Sequence, residues 1–325
     1  MLKHTRHWLG AALIAVAGIA NAYPDKAITM IVPYAPGGST DGLARIVADS
    51  MAKSIGASII VENIGGVGGV PGVQKFLRAK QDGYTIMLSN MGSFAIAPTL
   101  YPHMKFDPKS EMEPLGLVAE VPMVLSVSAA SGIKDLPALL QRMRDSSQPR
   151  INLGNGGPGG TGHIGAEYFL YLTKTTSEMI PYRGTGPALV DLMAGTVDVV
   201  IDQTVAMIPA SKGNRILPLA VASPERIPQM PDTPTFAEGG VPEFDMSVWN
   251  AIAAPKGIPR DRADKLVKAL NEALDDPKVK AALDSLGAIA PQGKRRGPEE
   301  MHRLTQRDLD RFAKLIHVAN IPINK

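Results

Sequence analysis

The residues best suited to chemistry are Ile31-Val32-Pro33-Tyr34-Ala35-Pro36-Gly37-Gly38-Ser39-Thr40-Asp41-Gly42-Leu43-Ala44-Arg45. An apolar strand over 27–32 runs into a Pro/Gly turn, and the turn opens a helix. The first turn of a helix has backbone N–H groups without intrahelical partners and a partial positive charge. The stretch from Pro36 through Gly37 and Gly38 therefore forms a spot suited to a carboxylate or other anion. The same residues also suit an ordinary strand–turn–helix connection, with Ser39 or Thr40 as N-cap and Asp41 stabilising the helix dipole.

Other candidates follow the same logic. The run Gly154-Asn155-Gly156-Gly157-Pro158-Gly159-Gly160-Thr161-Gly162-His163 is a second glycine loop ahead of a helix. It brings Gly160, Thr161 and His163 to the helix start, where Thr161 is either a ligand contact or part of the loop-to-helix junction. His163 and Glu167 are one helical turn apart. No further His or Cys completes a ligand-spaced set, so no metal is expected. Tyr182 and Arg183 precede a turn and a helix. The Arg183 guanidinium could grip both oxygens of a carboxylate, or make a solvated or inter-lobe salt bridge. Asn90 and Ser93 follow a strand end and offer neutral hydrogen bonds to a ligand or to a local turn. Asp202 ends a buried strand and could face a cleft, and Trp249 reads as a core residue. Gly-x-Ser-x-Gly, His-Glu-x-x-His and Walker-lysine patterns are absent. An enzyme would need a dispersed site, as in a secreted hydrolase, and no cofactor is implied.

These loops need strands and helices to hold them. Strands are predicted at 28–32, 58–61, 85–89, 118–127, 151–153, 179–182, 197–202, 217–222 and 248–253. Helices are predicted at 40–54, 70–80, 136–144, 164–172, 187–194, 260–274, 278–286 and 298–318, while 224–245 reads as a long loop. Strand–helix alternation implies crossover connections and a largely parallel sheet, with ligands beyond the carboxyl ends of its strands. The turns at 36–41, 63–69 and 90–93 should then share one edge. Two α/β blocks with matching glycine loops followed by a helical tail predict two lobes facing over a cleft. The predicted division is 23–122 plus 247–325 for one lobe and 123–246 for the other, with the tail on the first.

The chain opens with Lys3, Arg6 and flanking histidines, an apolar run over 9–20 and Ala20-Asn21-Ala22. This is the pattern of a cleaved signal peptide over 1–22, and it predicts export. The apolar run is short for a membrane span. The formal charge of +3 includes Lys3 and Arg6, so the mature chain would carry +1, which gives no argument for nucleic acid. With no cysteine, an oxidising compartment adds no disulfide, and stability must come from the core.

Taken in order, the segments resemble the solute receptors of tripartite tricarboxylate transporters, the Bug receptors. The resemblance runs over essentially the whole mature chain. It rests on Tyr23-Pro24-Asp25-Lys26, the 31–41 turn, Val61-Glu62-Asn63 with its glycine run, and Asp82-Gly83-Tyr84-Thr85. It rests further on Pro181-Tyr182-Arg183-Gly184-Thr185-Gly186-Pro187-Ala188-Leu189 and Asp191-Leu192-Met193-Ala194-Gly195-Thr196-Val197-Asp198. The resemblance implies a type II periplasmic binding-protein fold that captures a small di- or tricarboxylate, acidic amino acid or aromatic acid. It implies a monomer that delivers this cargo to a permease of one large and one small membrane subunit; a membrane sensor is the alternative recipient. It also implies that one ligand carboxylate is held at the first-lobe turn through backbone groups and water, with Ser39, Thr40 and Asp41 as contacts. Tyr34 stands where the family more usually has Phe, which adds a hydroxyl to the wall, and Arg183 stands where Lys is common.

Overall fold

The computed structural model describes residues 23–323; the signal segment expected over 1–22 lies outside the described residues. Strand β1 (Ile28–Val32) is almost wholly buried, because β2 (Ile59–Asn63) and β3 (Thr85–Asn90) pair with it in parallel on either side. A continuous apolar run is what such a central strand requires. Between them lie α1 (Ser39–Ile55) and α2 (Val70–Leu77). Helix α1 ends at Gly56, whose left-handed φ of 76° lets its N–H close on the Ala52 carbonyl.

After β3 the chain makes a buried π-helical turn, Gly92–Ile96, that continues into α3 (Ala97–Leu100); α4 (Pro108–Glu111) follows. The 17-residue β4 (Met112–Ser128) then spans the molecule. The second block comprises α5 (Leu136–Arg144), β5 (Asn152–Asn155), α6 (Thr161–Thr173), β6 (Glu178–Pro181), α7 (Thr185–Ala194), β7 (Val199–Gln203), α8 (Thr204–Ser211) and β8 (Ile216–Val221). Strand β9 (Ser247–Pro255) leads back to the first block, and α9 (Arg260–Asp275), α10 (Pro277–Ser285) and α11 (Pro298–Val318) close the chain.

The strand order is β2-β1-β3-β9-β4-β7-β5-β6, with β8 also paired to β4. The sheet is mixed, which corrects the expectation of a largely parallel one. Strand β9 runs antiparallel to both β3 and β4, and β4 runs antiparallel to β7 and β8. The cause is the crossing itself. From Met112 to Pro122 strand β4 pairs with β9; from Met123 onward it pairs with β7. One strand thus serves both halves, and β9 must return alongside it.

One face of the first half is closed by α1 and α9, which bury Leu43, Val47, Leu266 and Leu270 over Ile28 and Met30. On the other face Phe94 stacks on Trp249 with ring centroids 5.8 Å apart. The Trp249 indole donates to Asp308 on α11 at 2.6 Å, so this tryptophan is core and the tail packs on the first half. Besides the single turn α4, the helical stretches absent from the sequence reading are α8 and the 92–100 region. Both are buried over most of their surface and so lack the one-sided apolar stripe that marks a surface helix.

Candidate functional site

The carboxyl ends of β1, β3, β5 and β7 meet between the two halves. Four helices, α1, α6, α7 and α8, begin there. Gly38, Ser39, Thr40 and Asp41 come from α1, Gly160, Thr161 and Gly162 from α6, Thr185 from α7, and Gln203 from the start of α8. With Tyr34, Asn90, Gly156 and Asp202 they enclose a cavity of about 20 Å³, room for roughly one water molecule. The residues ahead of these helices are Gly38, Gly160, Gly184 and Gln203, and none caps its helix with a side chain. Four partial positive charges, each about half an elementary charge, are therefore aimed at one small volume.

The first-half wall is a network of neutral groups. The Tyr34 hydroxyl lies 3.1 Å from Ser93 Oγ and 3.3 Å from Asn90 Oδ1. Asn90 Nδ2 donates to Thr40 Oγ1 at 3.0 Å, and Ser89 donates to Ser93 at 2.8 Å. Burial raises the Tyr34 pKa against the hydrogen bonds with Ser93 and Ser89, so the ring stays a neutral phenol. Asp41 supports the turn. Its Oδ2 accepts from the Gly37 N–H at 3.0 Å and from Arg45 Nε at 3.2 Å, and its Oδ1 accepts from Asn63 Nδ2 at 3.0 Å. Burial pushes this carboxyl up, but the hydrogen bonds from Arg45, Gly37 and Asn63 outweigh it and hold the pKa below the usual range.

The halves touch directly. Ser39 Oγ donates to Asp202 Oδ2 at 3.0 Å and accepts from the Ala206 N–H of α8 at 3.2 Å. The Ala35 N–H donates to the Arg183 carbonyl at 3.1 Å, and the Tyr101 hydroxyl donates to the Pro158 carbonyl at 2.6 Å. At Gly186 the approach is so close that a Cβ would stand 2.2 Å from the Pro36 carbonyl oxygen. Burial pushes the Asp202 carboxyl up to about 6, against hydrogen bonds from the Gln203 N–H and the Ser39 and Thr185 hydroxyls.

Of the residues singled out in the sequence, Tyr34, Gly38, Ser39, Thr40, Asp41, Asn90, Gly160, Thr161 and Asp202 line this cavity. Ser93 sits one hydrogen bond behind Tyr34. Pro36 and Gly37 lie on an outer groove with Tyr182 and Gly186; Gly37 is needed there for its φ of 83°. The Tyr182 hydroxyl is bonded to Asp191 at 2.5 Å. Arg183 is exposed beside Gly65, Gly66 and Pro158. Its backbone carbonyl, not its guanidinium, bridges the halves. His163 is buried and accepts from the Gly159 N–H. Burial lowers its pKa to about 4, so its 3.6 Å approach to Glu167 is not an ion pair at neutral pH. The sequence reading missed Gly156, Thr185 and Gln203 as lining residues. Thr185 had a usable signal, since Gly184-Thr185 before a helix repeats Gly38-Ser39.

Two α/β lobes bridged by crossing strands, with opposed helix N-termini around a small cavity, define a periplasmic-type solute-binding protein. The chain belongs to the tripartite tricarboxylate transporter family of receptors, whose profile matches residues 43–321. Protein BugT of Bordetella pertussis is 35% identical over 85% of this chain and 86% of its own. The periplasmic binding protein BugD superposes with a TM-score of 0.88 at 34% identity, covering 92% of this chain and 99% of its own. MatC of Rhodopseudomonas palustris with bound malate superposes at 0.86 and 32% identity, covering 90% and 100%. Among the described residues no helix is long and apolar enough to cross a membrane.

Proposed function

We propose that this chain is an exported receptor that binds a small carboxylate between its lobes, without chemical conversion, and hands it to a permease of one large and one small membrane subunit. The lobes in this reading are 23–122 plus 247–325 and 123–246. The observation that carries the proposal is the convergence of four helix N-termini, none capped by the side chain of its own leading residue, on one cavity with no Lys, Arg or His side chain in its lining. Unpaired N–H groups and aligned dipoles hold an anion without a counter-cation. Glycine at three of the four entry positions leaves the backbone open to close approach. MatC, 32% identical, holds malate, which supports a small carboxylate as the cargo. In the present arrangement the cavity admits about one water, so the lobes must part for a ligand to enter.

Thermal melting of the chain from Tyr23 to Lys325 against a panel of small carboxylates tests this. A ligand at about 100 times its Kd stabilises by roughly 2.7 kcal/mol, which raises Tm by several degrees in a chain of this size. A saturable shift from at least one acid is expected. No shift from any acid, together with no co-purified acid in mass spectrometry of the denatured protein, would overturn the proposal.

A further inference from the structure

The cavity is lined by two carboxylates in opposite circumstances. Asp41 is neutralised. Arg45 reaches both its oxygens, Nη2 to Oδ1 at 2.9 Å and Nε to Oδ2 at 3.2 Å, and Asn63 and the Gly37 N–H take further lone pairs. Asp202 is 2% exposed and has only neutral partners: the Ser39 and Thr185 hydroxyls and the Gln203 N–H. No cationic side chain lines the cavity. A buried carboxylate without a counter-charge is costly in its ionised form, and it gains most from a positive or donating group brought to it.

The anion-seeking helix ends lie immediately beside it. Ser39 is the first residue of α1, and its Oγ is the group that touches Asp202 Oδ2. Thr185, the first residue of α7, reaches the same carboxylate. The cavity therefore seeks an anion and, one side chain away, a donor. A carboxylate that carries a donor on its adjacent carbon satisfies both at once. A plain mono- or dicarboxylate brings Asp202 no donor beyond the neutral ones it already has, or sets a second negative charge beside it.

We propose that Asp202 is a specificity-determining residue that reads the substituent on carbon 2 of the ligand, favouring ammonium over hydroxyl and hydroxyl over hydrogen. The Ser39 hydroxyl holds the position that this ligand donor takes over. The inference rests on the carboxylate-receptor reading above and narrows it to 2-amino and 2-hydroxy acids.

Calorimetric titration with matched sets tests it: aspartate, malate and succinate; glutamate, 2-hydroxyglutarate and glutarate; alanine, lactate and propionate. Chain length is constant within a set, so only the carbon-2 substituent is compared. In any set that binds, the substituted acids should bind at least about tenfold more tightly than the unsubstituted one, as expected when a buried polar group finds or lacks its partner. The order of the amino and hydroxy members separates the two donors. Asp202→Asn keeps the shape and removes the charge, and it should bring the amino and unsubstituted members to within about threefold of each other. Equal affinities across a set in the wild type overturn the inference and leave the receptor reading intact. So does a preference that survives Asp202→Asn in a variant that melts cooperatively. Silence from every set and from every other carboxylate overturns the receptor reading and this inference with it. The wild-type comparison decides the matter even if Asp202→Asn fails to fold.

Discussion

Gly186 shows how one missing methyl can decide whether two lobes meet. It lies in the first turn of α7, where alanine fits the helix well and gains roughly 1 kcal/mol of helix propensity. Its added Cβ would lie 2.2 Å from the Pro36 carbonyl oxygen of the opposite lobe. Gly186→Ala should therefore leave Tm unchanged or slightly raised while weakening carboxylate binding by more than about tenfold, because closure contributes to affinity. Unchanged affinity by calorimetry would show that the lobes need not meet here. Two buried titratable groups set an opposing pH dependence. The folded pKa of His163 drops to about 4 from 6.5, so between those values the unfolded chain binds a proton that the folded chain refuses, and stability falls as the medium is acidified. Asp202 rises from 3.8 to about 6, so the folded chain keeps a proton that the unfolded chain has lost, and its contribution falls as pH rises through that window. His163→Gln should lose less stability than the wild type between pH 7 and pH 5, by about 2 kcal/mol. Urea titrations at the two pH values measure the difference, and parallel losses in both proteins would contradict the assignment of a neutral, buried ring.

At the scale of elements, helices were legible where one face is apolar and the other wet, and strands where a short apolar run meets a turn. Strand β1 and the helices α5 and α11 were read to the residue. Strand β1 is a short apolar run that ends at a Pro/Gly turn, and the two helices carry a clear apolar period and open with Asp-Leu-Pro and Gly-Pro starts. Helix α8 and the 92–100 stretch are covered on nearly all sides, which erases the period that pattern reading depends on. The mixed sheet was not legible for a related reason: a single sequence does not state which strand lies between two others, and β9 enters between β3 and β4 from far along the chain. At the site, the glycine loops announced two of the four converging helices. The expectation for Arg183 rested on the charge of its side chain, whereas the structure uses its carbonyl oxygen as an acceptor for Ala35. Residue type reports what a side chain can do, and the turn around it decides which part of the residue faces the cleft.

For the molecule as a whole, β4 and β9 are the paired strands that run between the two halves, and the proposed closure would turn on them. They pair with each other from Met112 and Pro255 to Pro122 and Ser247, at the point where β4 turns from one half to the other. A pivot there leaves both lobe cores intact. The Ser39 hydroxyl is the group that ties α1 to Asp202 and to the start of α8 across the opposite side of the cleft. Removing it in Ser39→Ala should shift the lobes apart in solution and raise the radius of gyration measured by small-angle scattering without added carboxylate; an unchanged radius would show that other contacts suffice. The same tie bears on speed. Because Ser39 donates to the oxygen that a ligand donor would use, the protein carries an intramolecular competitor for its own recognition site. Under that proposal, association would be paced by how often the two lobes spontaneously separate, and no longer by how often solute collides with them. Above a certain concentration of cargo, capture would reach a plateau, making the receptor a rate-limited gate that passes on a steady supply when its surroundings are suddenly rich.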